Sequence, residues 1–196
     1  MRPEKHTYYF SVEGETEKWY LEWLQDTINA RPDTKFLVKL DSKVEKNPVS
    51  YVKRLTVVDK AEITHVFDYE SNDPEHVQLF QASLDSMKKA QISGKKVKYR
   101  LGYSNFTFEL WIILHKAECS GPLTDRKQYL DRVSRAYDVH FVSLGDYKTE
   151  DNFKGLLSKL TLEDVHNAIR RSKAIMEQNQ QNGYSLQTYN APILTV

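Results

Sequence analysis

The stretch from Tyr8 to Glu17, Tyr-Tyr-Phe-Ser-Val-Glu-Gly-Glu-Thr-Glu, narrows the choice of fold more than any other. It begins as an apolar run that reads as a buried strand. It ends in three carboxylates set around one glycine and one threonine. An amphipathic helix follows at once, with Trp19, Tyr20, Trp23, Leu24, Thr27 and Ile28 recurring at helical spacing. A strand that stops at Glu13, turns through Gly14 and feeds a helix delivers Glu13 to the carboxyl end of a strand. In an open α/β sheet, ligands and chemistry collect at that edge. Glycine suits such a turn because it accepts backbone angles that other residues resist.

The same alternation continues along the chain. Ala30 to Thr34 is a break containing Pro32, and Lys35 to Leu40 reads as a second strand. A short helix is expected over Val49 to Val58, after the Asn47-Pro48 turn. Ile63 to Phe67 is a third strand and ends on Asp68, and Ser71 to Pro74 is a loop. Val77, Phe80, Leu84 and Met87 mark an amphipathic helix that stops at Ser93-Gly94. Val97 to Leu101 is a fourth strand. Strands alternating with helices predict an α/β fold with a mainly parallel sheet flanked by helices. Phe106 to Leu114 is nearly continuous apolar, broken by Glu109, and its length and composition suit a buried helix better than a strand. Beyond it the chain reads as helical. One stripe is Tyr129, Leu130, Val133, Ala136 and Tyr137. Another is Leu162, Val165, Ile169 and Met176, opened by a Thr161/Asp164 capping box. This pattern divides the chain into a core over 1–116 and a C-terminal helical extension over 117–196 packed on it. The tail from Gln178 to Val196 carries no assignable pattern.

Composition sets bounds on function. With 196 residues and 40% hydrophobic content the chain can bury a sizeable core. A formal net charge of +1 means that nucleic acid, if bound, must be met by a local basic patch. The single cysteine, Cys119, permits no internal disulfide, points to a reducing compartment and reads as a small core residue. Met1 to His6 is polar and charged, and no apolar run is long enough to cross a bilayer. The expected location is the cytoplasm, without membrane contact.

Two acidic strand ends carry the chemistry. Glu13 follows the first strand, and Asp68 and Glu70 follow the third. Residues two apart on an extended segment point the same way, so Asp68 and Glu70 can face one pocket. If the two strands are neighbours, three carboxylates converge, and such a group needs a positive charge among them. Mg²⁺, with Mn²⁺ as a substitute, takes carboxylate oxygen, keeps several waters and bridges to phosphate. It can polarise a phosphoryl oxygen and stabilise a leaving oxygen. Glu13, if less engaged by metal, could carry a proton. The plainer reading is that these acids are solvated loop residues.

Three motifs resemble the RloB-like family. Val12-Glu13-Gly14-Glu15-Thr16-Glu17 before an aromatic-rich helix looks like its opening motif. Phe67-Asp68-Tyr69-Glu70 sits where the family has an acidic pair. Ser104-Asn105-Phe106-Thr107-Phe108-Glu109-Leu110-Trp111 with trailing His115 resembles its Ser-Asn-Pro-x-Phe-Glu-x-Trp segment, the most specific of the three. Together they cover most of residues 8–115. The family is TOPRIM-related, and that fold holds Mg²⁺ on a glutamate after its first strand and an acidic pair after a later one. The resemblance implies a TOPRIM-like core and a Mg²⁺-dependent nuclease of anti-phage defence, with an ABC- or AAA-type ATPase as partner. Glu70 departs from the expected aspartate, adding a methylene of reach, and Phe106 departs from the expected proline.

Supporting residues have two readings each. Glu17 either accompanies Glu13 or is a helix N-terminal acid satisfied by backbone amides. Glu109, inside an apolar run, needs a partner such as Arg100, a lysine or a backbone donor. His115 reads as a satisfied helix-end histidine, and Asn105 as a helix cap or a donor towards phosphate. Lys95, Lys96, Lys98 and Arg100, with Tyr99 and Tyr103 as stacking surfaces, form either a solvated surface or a phosphate-tracking patch. Two functions compete: a phosphodiesterase acting on RNA or DNA, and a non-catalytic binding or effector subunit of an ATPase complex, with oligomerisation open in either. Primase- or topoisomerase-like chemistry is a third and weaker reading, because the chain is too short for the extra domains.

Overall fold

A computed structural model of the chain describes residues 4–56, 60–69, 73–119, 123 and 125–183. Its elements run β1 (Glu4–Val12), α1 (Glu15–Asn29), β2 (Phe36–Val44), α2 (Pro48–Arg54), β3 (Ala61–Tyr69), α3 (Pro74–Gln91) and β4 (Val97–Asn105). Then follow α4 (Glu109–Lys116), α5 (Arg126–Tyr137), α6 (Leu144–Tyr147), α7 (Glu150–Leu157) and α8 (Leu162–Gln181). The strands form a four-stranded sheet in the order β2-β1-β3-β4. β1 pairs in parallel with β2, from Glu4↔Phe36 to Val12↔Val44, and with β3, from Tyr9↔Ile63 to Val12↔Val66. β4 runs the same way, because Ala61 N donates to Lys96 O and Phe106 N donates to Tyr69 O. The expected α/β fold with a parallel sheet, flanking helices and C-terminal helices is the observed one. No helix among the described residues is long and apolar enough to cross a membrane.

The chain divides into two compact units. One comprises Met1–Phe67 and Gln78–Gly102, the other Asp68–Val77 and Tyr103–Val196.

In the first unit, β3 buries alternate residues, Ala61, Ile63, His65 and Phe67. Phe67 meets Phe80 of α3 with ring centroids 4.7 Å apart. On the same face Tyr99 donates its hydroxyl proton to the Pro48 carbonyl of α2, 2.8 Å away. His65 Nδ1 and Ser11 Oγ lie 2.7 Å apart, both fully buried, tying β3 to β1. Along the outer edge of β2, α1 supplies side-chain partners. Leu40 N donates to Gln25 Oε1, while Asn29 bonds both the N–H and the carbonyl of Val38, each at 2.9 Å. These contacts occupy groups that an open edge would offer to another strand. β2 itself continues to Val44, past the Leu40 expected from its apolar pattern, because β1 pairs with it through Tyr9↔Asp41 to Val12↔Val44 although the side chains turn polar.

In the second unit, α4 is the buried helix. Ile112, Ile113 and Leu114 are at most 1% exposed. Tyr137 of α5 donates to Ile112 O at 2.8 Å, and Arg171 of α8 donates to Leu114 O and His115 O at 2.7 and 3.0 Å. The Thr161/Asp164 capping box opens α8 as expected. The apolar run starting at Phe106 becomes helical only at Glu109, because Phe106 itself adopts φ 65°. That left-handed turn is uncommon for a bulky residue and is forbidden to proline, whose φ is locked near −65°.

Candidate functional site at the strand ends

Glu13 is the first residue beyond β1 and is half-buried. Asp68 is the penultimate residue of β3, also half-buried, on the strand face opposite Phe67 and Tyr69. The register Val12↔Val66 means that each acid stands at the carboxyl end of its strand, and that the two strands are sheet neighbours. Glu70, the third acid of the expected set, lies outside the described residues. Among the described residues no group of three His, Cys, Asp or Glu is arranged to hold a metal.

The turn after β1 is built differently from the expectation for glycine. Gly14 has φ −145° and ψ 177°, extended backbone open to any residue. Its constraint is space: a Cβ there would fall 3.1 Å from Glu17 Oε2. Glu17 is only 6% exposed and accepts from the Thr16 hydroxyl at 2.8 Å. Glycine therefore lets the backbone lie against a buried carboxylate in the first turn of α1, where negative charge suits the helix dipole.

Glu109 is the first residue of α4 and 1% exposed. Its carboxylate accepts from the Thr107 hydroxyl and meets Lys148 Nζ at 3.3 Å. The partner expected for this buried acid is thus a lysine and not Arg100, which pairs with Glu62. Lys148 sits just after α6 and its side chain remains 45% exposed. Nothing in the sequence singles it out, because a pairing across 39 positions leaves no local pattern. Asn105 ends β4, while the N-cap of α4 is Phe108, so Asn105 is not that helix's cap. His115 is 1% exposed, its Nδ1 lies 2.8 Å from Trp111 O, and burial pushes its pKa down to about 4. It is the satisfied helix-end histidine of the plainer reading.

The basic residues before and within β4 separate. Lys95 donates to the carbonyls of Val52, Lys53 and Leu55, at 2.8, 3.1 and 2.7 Å, and so caps the C-terminal end of α2. Lys96, Lys98 and Arg100 are exposed, whereas Val97 and Tyr99 between them are buried. Tyr99 and Tyr103 are core residues, 7% and 9% exposed, and offer no open stacking surface. Cys119 is buried and burial raises its thiol pKa, as befits a core residue. The buried Ser11–His65 pair has the elements of a nucleophile and base, but both are shut from solvent, and burial lowers the His65 pKa to about 4.

The strands form a parallel α/β sheet, and Glu13 and Asp68 stand at the carboxyl ends of two of them that pair, β1 and β3. The chain belongs to the RloB-like protein family, whose model matches residues 8–193. Among solved structures it is similar to the C-terminal region of the Burkholderia pseudomallei OLD protein. The identity is 13%, the TM-score 0.38, and the match covers 87% of this chain and 96% of that one. A comparison with curated proteins gave no match.

Proposed function

We propose that this protein is a metal-dependent nuclease, hydrolysing phosphodiester bonds of RNA or DNA in anti-phage defence with an ATPase partner. The observation that carries the reading is the placement of Glu13 and Asp68 at the carboxyl ends of neighbouring parallel strands in a chain of the RloB-like family. The donor set is hard carboxylate oxygen, which fits Mg²⁺ or Mn²⁺. Glu13 and Asp68, together with Glu70, would hold the ion. When bound, the ion would neutralise charge building on the phosphoryl oxygens. The remaining work falls to the chain. Glu13 is the candidate to take a proton from water or give one to the leaving oxygen. Lys96 and Lys98, with Arg100 beside them paired to Glu62, offer an exposed basic row for the phosphate backbone. Glu109 and Lys148 support the turn that leads from β4 into α4.

The test is cleavage of single- and double-stranded RNA and DNA, with and without the ATPase, paired with metal calorimetry. Glu13→Gln and Asp68→Asn are expected to lower cleavage at least about 100-fold, and Asp68→Asn with Glu70→Gln to abolish Mg²⁺ binding. Wild-type protein that never cuts any nucleic acid, alone or with the ATPase, would leave the non-catalytic subunit as the answer.

A further inference from the structure

We infer that the cavity between α4 and α5 is a docking site for a carboxylate-bearing peptide segment of a partner protein. The cavity measures about 320 Å³ and is lined by Ile113, Ala117, Glu118, Arg132, Arg135 and Ala136. Arg132 and Arg135 are three apart on α5 and so share a helical face. Arg132 donates to the Cys119 sulfur at 3.5 Å, a weak acceptor, and Arg135 Nε to the Asp131 carbonyl of its own helix at 3.2 Å. Among the described residues neither guanidinium has a carboxylate partner. Glu118, the one acid among the described residues of the lining, is already paired with Arg171 at 3.1 Å. The cavity thus holds two available cations and a neutralised acid.

Two unpaired guanidiniums at a helix end have a plainer explanation, since cations favour the C-terminal end of a helix. It covers Arg135, which stands in the last turn of α5, but not Arg132, which lies before that turn. Arg132 and Arg135 remain as planar forks matched to an oxyanion. The floor selects the kind of oxyanion. Half-buried Ala117 and Ala136 give a small apolar surface over the buried Ile113, and among the described residues no aromatic ring lines it on which a base could stack. The cavity also lies towards the C-terminal end of α4, its lining running from about 6 to about 12 Å along the helix axis from Glu109. A glutamate or aspartate flanked by alanine- or leucine-sized residues fits these features. This site is independent of the nuclease reading and stands or falls without it.

The experiment is fluorescence anisotropy on the full chain. The probes are a labelled peptide alternating glutamate with alanine and leucine, its glutamine-for-glutamate counterpart, and a single-stranded oligonucleotide of similar length. The acidic peptide is expected to bind at least about tenfold tighter than the glutamine form. Arg132→Gln with Arg135→Gln should lose that preference, with Lys53→Gln as an unaffected surface control. Ala136→Leu, which fills the cavity and keeps both arginines, should lose binding too, so a misfolded double variant does not decide the matter. Equal binding of the two peptides, or acidic-peptide binding unchanged in both variants, would overturn the inference. So would oligonucleotide binding that disappears with the arginines, which would reassign the cavity to nucleic acid.

Discussion

Glu109 and Lys148 form an unequal pair: the carboxylate is buried, while the lysine side chain keeps 45% of its exposure. Removing the lysine leaves a charge behind that water cannot reach; neutralising the acid frees a lysine that water can solvate. Lys148→Met should therefore cost about 2 kcal/mol and Glu109→Gln about 1 kcal/mol, read from urea midpoints. The reverse order would mean that the pair does not hold the charge as described. At the next turn the argument concerns backbone. Phe106 uses its N–H to bond Tyr69 O at 2.8 Å, and its φ is 65°. Proline, the family's expected residue here, has neither the donor nor the angle. Phe106→Pro should destabilise by at least about 2 kcal/mol in thermal melts. An unchanged melt would show that this turn is not held left-handed.

Among the elements, α2 is a short helix held chiefly from outside. Asn47 caps its start by accepting from Ser50 N at 3.1 Å, and Lys95 closes its end with three donated bonds. Propensity alone does not stabilise a helix of seven residues. Lys95→Met should cost about 1–3 kcal/mol, lowering the melting temperature by about 2–4 °C per kcal/mol, and leave the salt dependence of oligonucleotide binding unchanged. Lys98→Gln should do the opposite, sparing stability and reducing the salt slope by roughly 0.7–0.9. Both outcomes reversed would mean that Lys95 faces phosphate and Lys98 the fold. This division was not legible in a run of lysines. Strand alternation places Lys96, Lys98 and Arg100 on one face, yet it says nothing of Lys95, which precedes the strand and finds its carbonyls 40 to 43 positions earlier. By contrast the α8 capping box was legible, since both of its partners lie within four residues.

At the scale of the whole molecule, each compact unit buries a neutral histidine, His65 in one and His115 in the other. Burial lowers both from 6.5 to about 4, so between those values the unfolded chain binds more protons than the folded one. Their contribution is full above pH 6.5 and is lost as pH falls towards 4, by at most about 3 kcal/mol each. Stability measured from pH 7 to pH 4 should fall, and His65→Gln should flatten that slope by about one proton; an unaltered slope would place the titration elsewhere. The alternation of strands and helices, the parallel sheet, the acids at Glu13 and Asp68 and the capping box at Thr161 could be read from sequence alone. Each depends on periodicity or on neighbours a few residues apart. Only the tertiary structure decided that Lys148 answers Glu109, that Lys95 caps α2, that α1 guards the edge of β2 and that the Glu17 carboxylate lies close to Gly14. The physical reason is that a buried polar group must be satisfied by whatever donor or acceptor the fold brings near, and sequence distance does not constrain that choice.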